Sequence, residues 1–177
     1  MSPLDIINKY CKEKKLQHIL LTHSRAVANK ALEIARKHPE LNADETFIEE
    51  AALLHDIGCV MVNAPAIECY GIEPYIRHGI LGAEILRSEG LPRHALVCER
   101  HTGTGLTLQQ IIEQKLPLPH QDMQPISIEE QIICFADKFF SKTRLETEKT
   151  AEQARRSLEK FGAEGLTKFD AWCEKFL

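Results

Sequence analysis

Residues 51–58 read Ala-Ala-Leu-Leu-His-Asp-Ile-Gly, an apolar segment that ends on a histidine and an aspartate. Apolar side chains before it recur at the spacing of a helix, and Asn42 or Asp44 is placed to cap the start of that helix. Neighbouring side chains on a helix point about 100° apart. The side chains of His55 and Asp56 could therefore bind the same metal ion only if the end of this helix packs against other helices. A histidine near a helix end beside an exposed aspartate is the alternative.

The rest of the chain has the same helical period, and no run of residues has the alternating pattern of a strand. The sequence therefore predicts an all-α fold, a single compact multi-helix bundle. Residues 59–73 have no clear period and are predicted to be a loop with at most one irregular turn. The predicted helices cover residues 3–14, 16–37, 44–57, 74–90, 92–101, a short segment after Thr107, 127–140 with a continuation toward 146, and a C-terminal helix over 148–177 broken near Gly162 and Gly165.

Length and composition limit the class of protein. The chain has 177 residues, enough for one domain, and 44% of them are hydrophobic, so it can bury a core. A net charge of −4 argues against strong non-specific binding to nucleic acid or anionic membranes. No apolar run approaches the roughly 18 residues of a membrane span, and the first residues lack signal-peptide features. We therefore expect a cytoplasmic protein, with its six cysteines reduced because no CxxC pair is present.

Two polar residues occupy positions that the helical pattern assigns to the core. His23 lies on the apolar stripe of the second predicted helix, three residues after one apolar position and four before the next. Asp137 lies inside the apolar run of residues 132–140, where a carboxylate must be paired, protonated or bound to a metal. A hydrogen-bonded core histidine and an aspartate paired with arginine are the alternative interpretations.

Two more histidines, His78 and His101, stand near glycine or small residues that let a ligand approach the backbone. One metal site explains all these polar residues more economically than six separate structural reasons. Imidazole and carboxylate ligands without thiolate suit iron, manganese, nickel, cobalt or zinc. The remaining four histidines are interpreted as surface residues: His18, His38, His94 and His120.

In this order, His23, His55-Asp56 and Asp137 resemble the H…HD…D pattern of the HD-domain metal-dependent phosphohydrolases. Residues 55–58 also match the His-Asp-Ile-Gly extension often found in that family. The resemblance covers roughly residues 16–145, and we predict an HD domain over residues 1–147, including an N-terminal helix. Residues 148–177 would then be a C-terminal helical extension that packs on the same domain.

The resemblance also implies a centre with two divalent metal ions, because the extra histidines look like those of the dinuclear members. Cys59 departs from the family, since a lysine often follows His-Asp-Ile-Gly. The absence of a Gly-Tyr-Pro signature after His101 argues against the HD-GYP cyclic dinucleotide phosphodiesterases. The implied ligands are His23, His55, Asp56 and Asp137 for one ion, and Asp56, His78 and His101 for the other.

Basic residues next to the ligands would stabilise negative charge on a phosphoryl group. Arg100 and Lys138, together with Asp56, are the predicted catalytic residues. Arg77 and Lys142 have similar positions in the sequence, and ordinary solvated helix surface is the alternative for each basic residue.

The function implied is hydrolysis of a phosphoester or phosphoanhydride bond in a nucleotide or another small phosphorylated metabolite. A mononuclear nucleotidase or phosphodiesterase, a di-iron oxygenase, and a non-catalytic nucleotide- or metal-binding module stay open as alternatives. The predicted cofactor is a pair of divalent ions, and the predicted partner is a small phosphorylated substrate. The chain is expected to be a monomer or a homodimer, since the aromatic residues of its last helix suit intramolecular packing or a dimer seam.

Overall fold

Helix starts coincide with the capping residues of the sequence. The hydroxyl groups of Ser127 and Thr107 accept hydrogen bonds from the backbone N–H three residues on, at 3.1 and 3.0 Å, in two complete capping boxes. Asp44 caps the third helix through a 3.0 Å bond from the N–H of Phe47. The predicted starts of these three helices are confirmed.

The computed structural model describes all 177 residues and contains nine α-helices and two small antiparallel hairpins, which confirms the all-α fold. No helix is both long enough and apolar enough to span a membrane. The helices are α1 (Pro3–Tyr10), α2 (Lys14–Lys37), α3 (Glu45–Leu54), α4 (His78–Ser88), α5 (Pro92–Glu99), α6 (Leu108–Glu113), α7 (Ile128–Asp137), α8 (Ala151–Ser157) and α9 (Ala163–Phe176). The hairpins pair β1 (Asn63–Ala64) with β2 (Cys69–Tyr70), and β3 (Phe140–Ser141) with β4 (Arg144–Glu148).

The long helix α2 packs against both α3 and α7, and its residues Val27 and Ala31 are completely buried. On α7, the ring of Phe135 lies 5.3 Å from that of Phe169 and 5.4 Å from that of Phe176, both on α9. All three rings are buried, and each contributes about 1.5 to 3 kcal/mol relative to an exposed ring. The C-terminal helix is thereby fixed to the helix that ends at Asp137.

The seventh helix is shorter than predicted. It ends at Asp137, and the chain turns into the β3–β4 hairpin instead of continuing to residue 140 or 146. Ser141 and Thr143 are poor helix formers, and the N–H of Lys149 bonds to the carbonyl oxygen of Phe139 at 2.8 Å. The hairpin escaped prediction because β4 is mostly exposed, so its sequence does not alternate between apolar and polar residues.

Other predicted helix bounds were also wrong. Helix α1 ends at Tyr10 because the backbone is extended at Cys11, and α4 begins only at His78, after a 3₁₀ turn. In the C-terminal region the helix breaks at Gly162, which has a φ of +93°, whereas Gly165 lies within α9.

The predicted loop of residues 59–73 is more ordered than expected, with 3₁₀ turns at Ile57–Met61 and Pro65–Ile67 and the β1–β2 hairpin between its ends. Gly58 precedes it at a close contact, since a Cβ at Gly58 would lie 1.9 Å from the carbonyl oxygen of His78. A glycine at this position therefore lets the start of α4 approach the end of α3.

Candidate metal centre

The structure brings all six predicted ligands together, and we refer to them as the His/Asp cluster. They come from the ends of helices or from the middle of α2, and all except Asp137 are at most 4% exposed. One side-chain atom from each residue in a group lies within 4.8 Å of the others in that group. The groups are His23, His55, Asp56 and Asp137, and Asp56, His78 and His101, which share Asp56.

Three histidines of the cluster are oriented by their own turn of backbone. The Nδ1 atoms of His55, His78 and His101 each contact the carbonyl oxygen of the residue three positions earlier. A carbonyl only accepts, so each Nδ1 carries a proton and each Nε2 faces the cluster, where it can act as a ligand atom. The acceptors are Ala52, Tyr75 and Cys98, at 2.6, 2.7 and 2.7 Å.

In the first group, two imidazoles face two carboxylates. The Nε2 of His23 lies 3.0 Å from Oδ1 of Asp137 and 3.3 Å from Oδ2 of Asp56, and the Nε2 of His55 lies 3.3 Å from both oxygens. Burial disfavours a charge on His55, but the carboxylates of Asp56 and Asp137 outweigh it and raise the pKa of His55 to about 10. The carboxylates thus attract a positive charge to this point, which a proton or a metal ion can supply.

In the second group, two lone pairs point at each other. The Nε2 atoms of His78 and His101 lie 2.9 Å apart, and each is 3.3–3.4 Å from Oδ1 of Asp56. Burial and the neighbouring His101 lower the pKa of His78 to about 3, so its imidazole is in the neutral, ligating form. Oδ1 of Asp56 is buried and accepts no hydrogen bond. An orphaned carboxylate oxygen beside two convergent lone pairs fits a divalent cation.

Two lysines border the cluster. Lys142 donates to Oδ2 of Asp56 at 2.7 Å, and Lys138 donates to Oδ2 of Asp137 at 2.8 Å and to the carbonyl oxygen of His101 at 2.7 Å. Burial opposes both charges, yet Asp56 raises the pKa of Lys142 well above its usual value and Asp137 raises the pKa of Lys138. Lys142 reaches Asp56 from the turn between β3 and β4, which the sequence pattern did not reveal.

The structure does not bring Arg100 to the cluster. Its guanidinium pairs with the carboxylate of Glu130 at 2.9 Å and does not line the cavity over the cluster. Arg77 likewise points elsewhere, to the carbonyl oxygen of Pro117 at 2.7 Å and to Glu73. Each arginine immediately precedes a histidine of the cluster in the sequence, but its side chain points in another direction, because adjacent positions on a helical turn diverge by about 100°.

Cys59, at the position where the family often has lysine, is completely buried, and its thiol contacts that of Cys69. No side chain therefore reaches the cavity from this position. The ammonium group of Lys142 is the cation that contacts Asp56 instead.

A cavity of about 420 Å³ opens over the cluster, with His23, His78, His101 and Asp137 in its wall. This volume is within the usual range for small-molecule sites. Tyr75 also lines it and stacks on His78, with ring centroids 4.5 Å apart.

Comparison with known proteins identifies the family. The HD domain family model matches residues 20–141, which contain the whole His/Asp cluster. The chain belongs to the HD domain family. The HD domain of the Listeria monocytogenes phosphodiesterase PgpH, solved in complex with cyclic-di-AMP, matches the fold with a TM-score of 0.54 and 18% identity, covering 96% of this chain and 92% of that one.

Curated relatives include two enzymes that are longer than this chain. An uncharacterized protein of Methanocaldococcus jannaschii is 35% identical over 89% of this chain and 85% of its own length. The tRNA (cytidine(56)-2′-O)-methyltransferases of Thermoplasma volcanium and Picrophilus torridus are 32% and 34% identical over 93% and 76% of this chain. The matched regions amount to only 44% and 35% of those two enzymes.

Proposed function

We propose that this protein is a phosphohydrolase that uses two divalent metal ions. His23, His55, Asp56 and Asp137 would hold one ion, and Asp56, His78 and His101 the other. The observation that carries the proposal is the pair of buried groups that share Asp56, in which the lone pairs of His78 and His101 converge beside the unpartnered Oδ1 of Asp56.

Divalent ions in such a pair supply a water of lowered pKa and stabilise charge on phosphoryl oxygens. The residues of the chain then have distinct tasks. The backbone carbonyls behind His55, His78 and His101 keep these imidazoles oriented, so little reorganisation accompanies binding. Lys138 and Lys142 place ammonium groups beside the two carboxylates, where they favour an anionic substrate. We assign to Lys142 the role that the sequence pattern suggested for Arg100, stabilisation of negative charge on the phosphoryl group.

The substrate we propose is a nucleotide or another small phosphorylated metabolite. Its size suits the 420 Å³ cavity, and the structurally similar PgpH domain was solved with a cyclic dinucleotide. The absence of thiolate from the cluster supports iron, manganese, nickel, cobalt or zinc as the metal.

A second candidate substrate is a phosphoester in tRNA. It is supported by the 32–34% identity with parts of two tRNA methyltransferases, and opposed by the net charge of −4.

Elemental analysis of anaerobically purified protein tests the metal centre. We expect about two ions per chain in the native protein and about one in His78→Ala, because the second group loses one of its three ligands. His120→Ala, which alters an exposed histidine, is the matched control and is expected to keep both ions. Two ions in His78→Ala would show that His78 is not a ligand.

Release of phosphate tests the reaction. The panel contains phosphomonoesters, cyclic nucleotides, dinucleoside polyphosphates and tRNA with a terminal phosphate, with Mn²⁺ or Fe²⁺ supplied. We expect turnover of at least one small-molecule class by the native protein and its loss in Asp137→Ala. Turnover of tRNA alone would favour the second candidate, and two bound ions without any hydrolysis would contradict a phosphohydrolase.

A further inference from the structure

The part of the cavity wall contributed by residues 149–161 is built by chain outside the family match of residues 20–141. After β4, the backbone of Lys149 is held by the carbonyl oxygen of Phe139, and α8 with the following 3₁₀ turn brings Lys160 and Phe161 back over the cavity. The ring of Phe161 lies against Gly103, close to the His/Asp cluster, since a Cβ on that glycine would lie 3.2 Å from it.

Four lysines line the cavity, but they are not equivalent. Lys138 and Lys142 are already bonded to carboxylates of the cluster. Lys149 and Lys160, which we call the lysine wall, form no ion pair and no side-chain hydrogen bond with other residues. Asp137 is the single carboxylate among the cavity-lining residues, and it is bonded to Lys138.

The nearest acidic neighbour in sequence does not neutralise Lys149. The carboxylate of Glu148 points to Lys30 on α2, at 2.7 Å. Lys149 is half-buried, and burial lowers its pKa; Asp137 opposes this, while the ammonium groups of Lys138 and Lys160 lower the pKa further. A lysine on the open surface would be solvated and distant from other ammonium groups, whereas Lys149 is partly buried beside two of them. The fold therefore concentrates unpaired positive charge in this cavity, although the chain as a whole is acidic.

We propose that the lysine wall is a second anion subsite, which binds a second phosphate or another anionic group of the substrate while the first phosphate lies at the His/Asp cluster. This rests on the proposed function and narrows its substrate to small molecules with two separated anionic groups. The organic part between them would contact the apolar side chains of the cavity: Ile67, Phe140, Leu158 and Phe161.

Phosphonates that cannot be hydrolysed test the subsite independently of catalysis. Isothermal titration calorimetry of the Mn²⁺-loaded full chain compares methylphosphonate with alkane-α,ω-diphosphonates of increasing length. We expect one or more diphosphonates to bind at least about 10-fold more tightly than methylphosphonate. Lys149→Met/Lys160→Met is expected to remove this advantage and leave the affinity for methylphosphonate unchanged.

Two further variants distinguish specific binding at the lysine wall from an effect of the protein's net charge. Lys12→Met/Lys175→Met removes the same charge from exposed positions outside the cavity and should keep the advantage. Lys149→Arg/Lys160→Arg should largely restore it. If no diphosphonate binds more tightly than methylphosphonate, or if the control pair loses the advantage equally, the subsite is refuted. A failure of the proposed function appears separately, as absence of phosphate release with diphosphonate binding intact.

Discussion

The His/Asp cluster and the lysine wall face the same cavity but are held in different ways. The cluster side chains are buried among helices, and three of its imidazoles are fixed by carbonyl oxygens of their own backbone. The lysine wall comes from a short segment after β4, where Lys160 is exposed and neither ammonium group has a carboxylate partner.

This difference fits the two tasks that we propose, bond cleavage at the cluster and anion recognition at the lysine wall. Bond cleavage needs groups held within about 0.5 Å of a productive geometry, which buried and hydrogen-bonded side chains provide. Recognition of a charged group tolerates mobile side chains, because the ordering cost is paid only when the ligand binds. We therefore expect changes in the cluster to abolish activity and changes in the wall to alter affinity.

The largest effect is expected for Asp56→Ala. Both groups of the cluster contain Asp56, so the variant should lose both ions, and turnover should fall by more than about 1000-fold. Elemental analysis and phosphate release measure these losses. Asp122→Ala, at an exposed aspartate, is the control and should be unaffected. If Asp56→Ala kept two ions, the assignment of Asp56 as a ligand of both ions would be wrong.

Removal of metal should make stability depend on pH. The pKa of His55 is raised from 6.5 to about 10, so its protonated form stabilises the metal-free fold fully below pH 6.5, and this stabilisation is lost as the pH rises through 10. The free energy of unfolding should fall by roughly 3 to 4 kcal/mol over that interval. Urea denaturation at several pH values measures it.

The metal-free His55→Gln variant supplies the control, since it lacks the titrating imidazole and should show a flatter dependence over the same interval. Equal slopes in the two proteins would mean that the carboxylates do not act on His55 as the structure implies.

A smaller effect is expected for Lys142→Met. This ammonium group contacts Asp56 and lines the cavity, so its loss should lower kcat by about 10- to 100-fold while the metal content is retained. Arg100→Met is the comparison, because Arg100 pairs with Glu130 outside the cavity; kcat should stay within about 3-fold. If Arg100→Met lowered kcat more than Lys142→Met, the result would favour Arg100 as the catalytic residue, as the sequence pattern suggested.

Much of the cluster could be predicted locally. His23 and Asp137 interrupt apolar helical faces, and such interruptions are visible in a single sequence. The direction of Arg100 was not visible, because it depends on Glu130, 30 residues further along the chain. Lys142 was not assigned to Asp56 because α7 was predicted to continue through it.

The sequence by itself determined the all-α class, the capped starts of α3, α6 and α7 and the identity of the His/Asp residues, because helical periodicity, capping and the H…HD…D order are all visible along the chain. Only the tertiary structure decided that His78 and His101 face each other across Asp56, and that Lys142, Lys149 and Lys160 reach the same cavity. Those contacts depend on where a helix ends and how elements far apart in the chain pack, and no local pattern records that geometry.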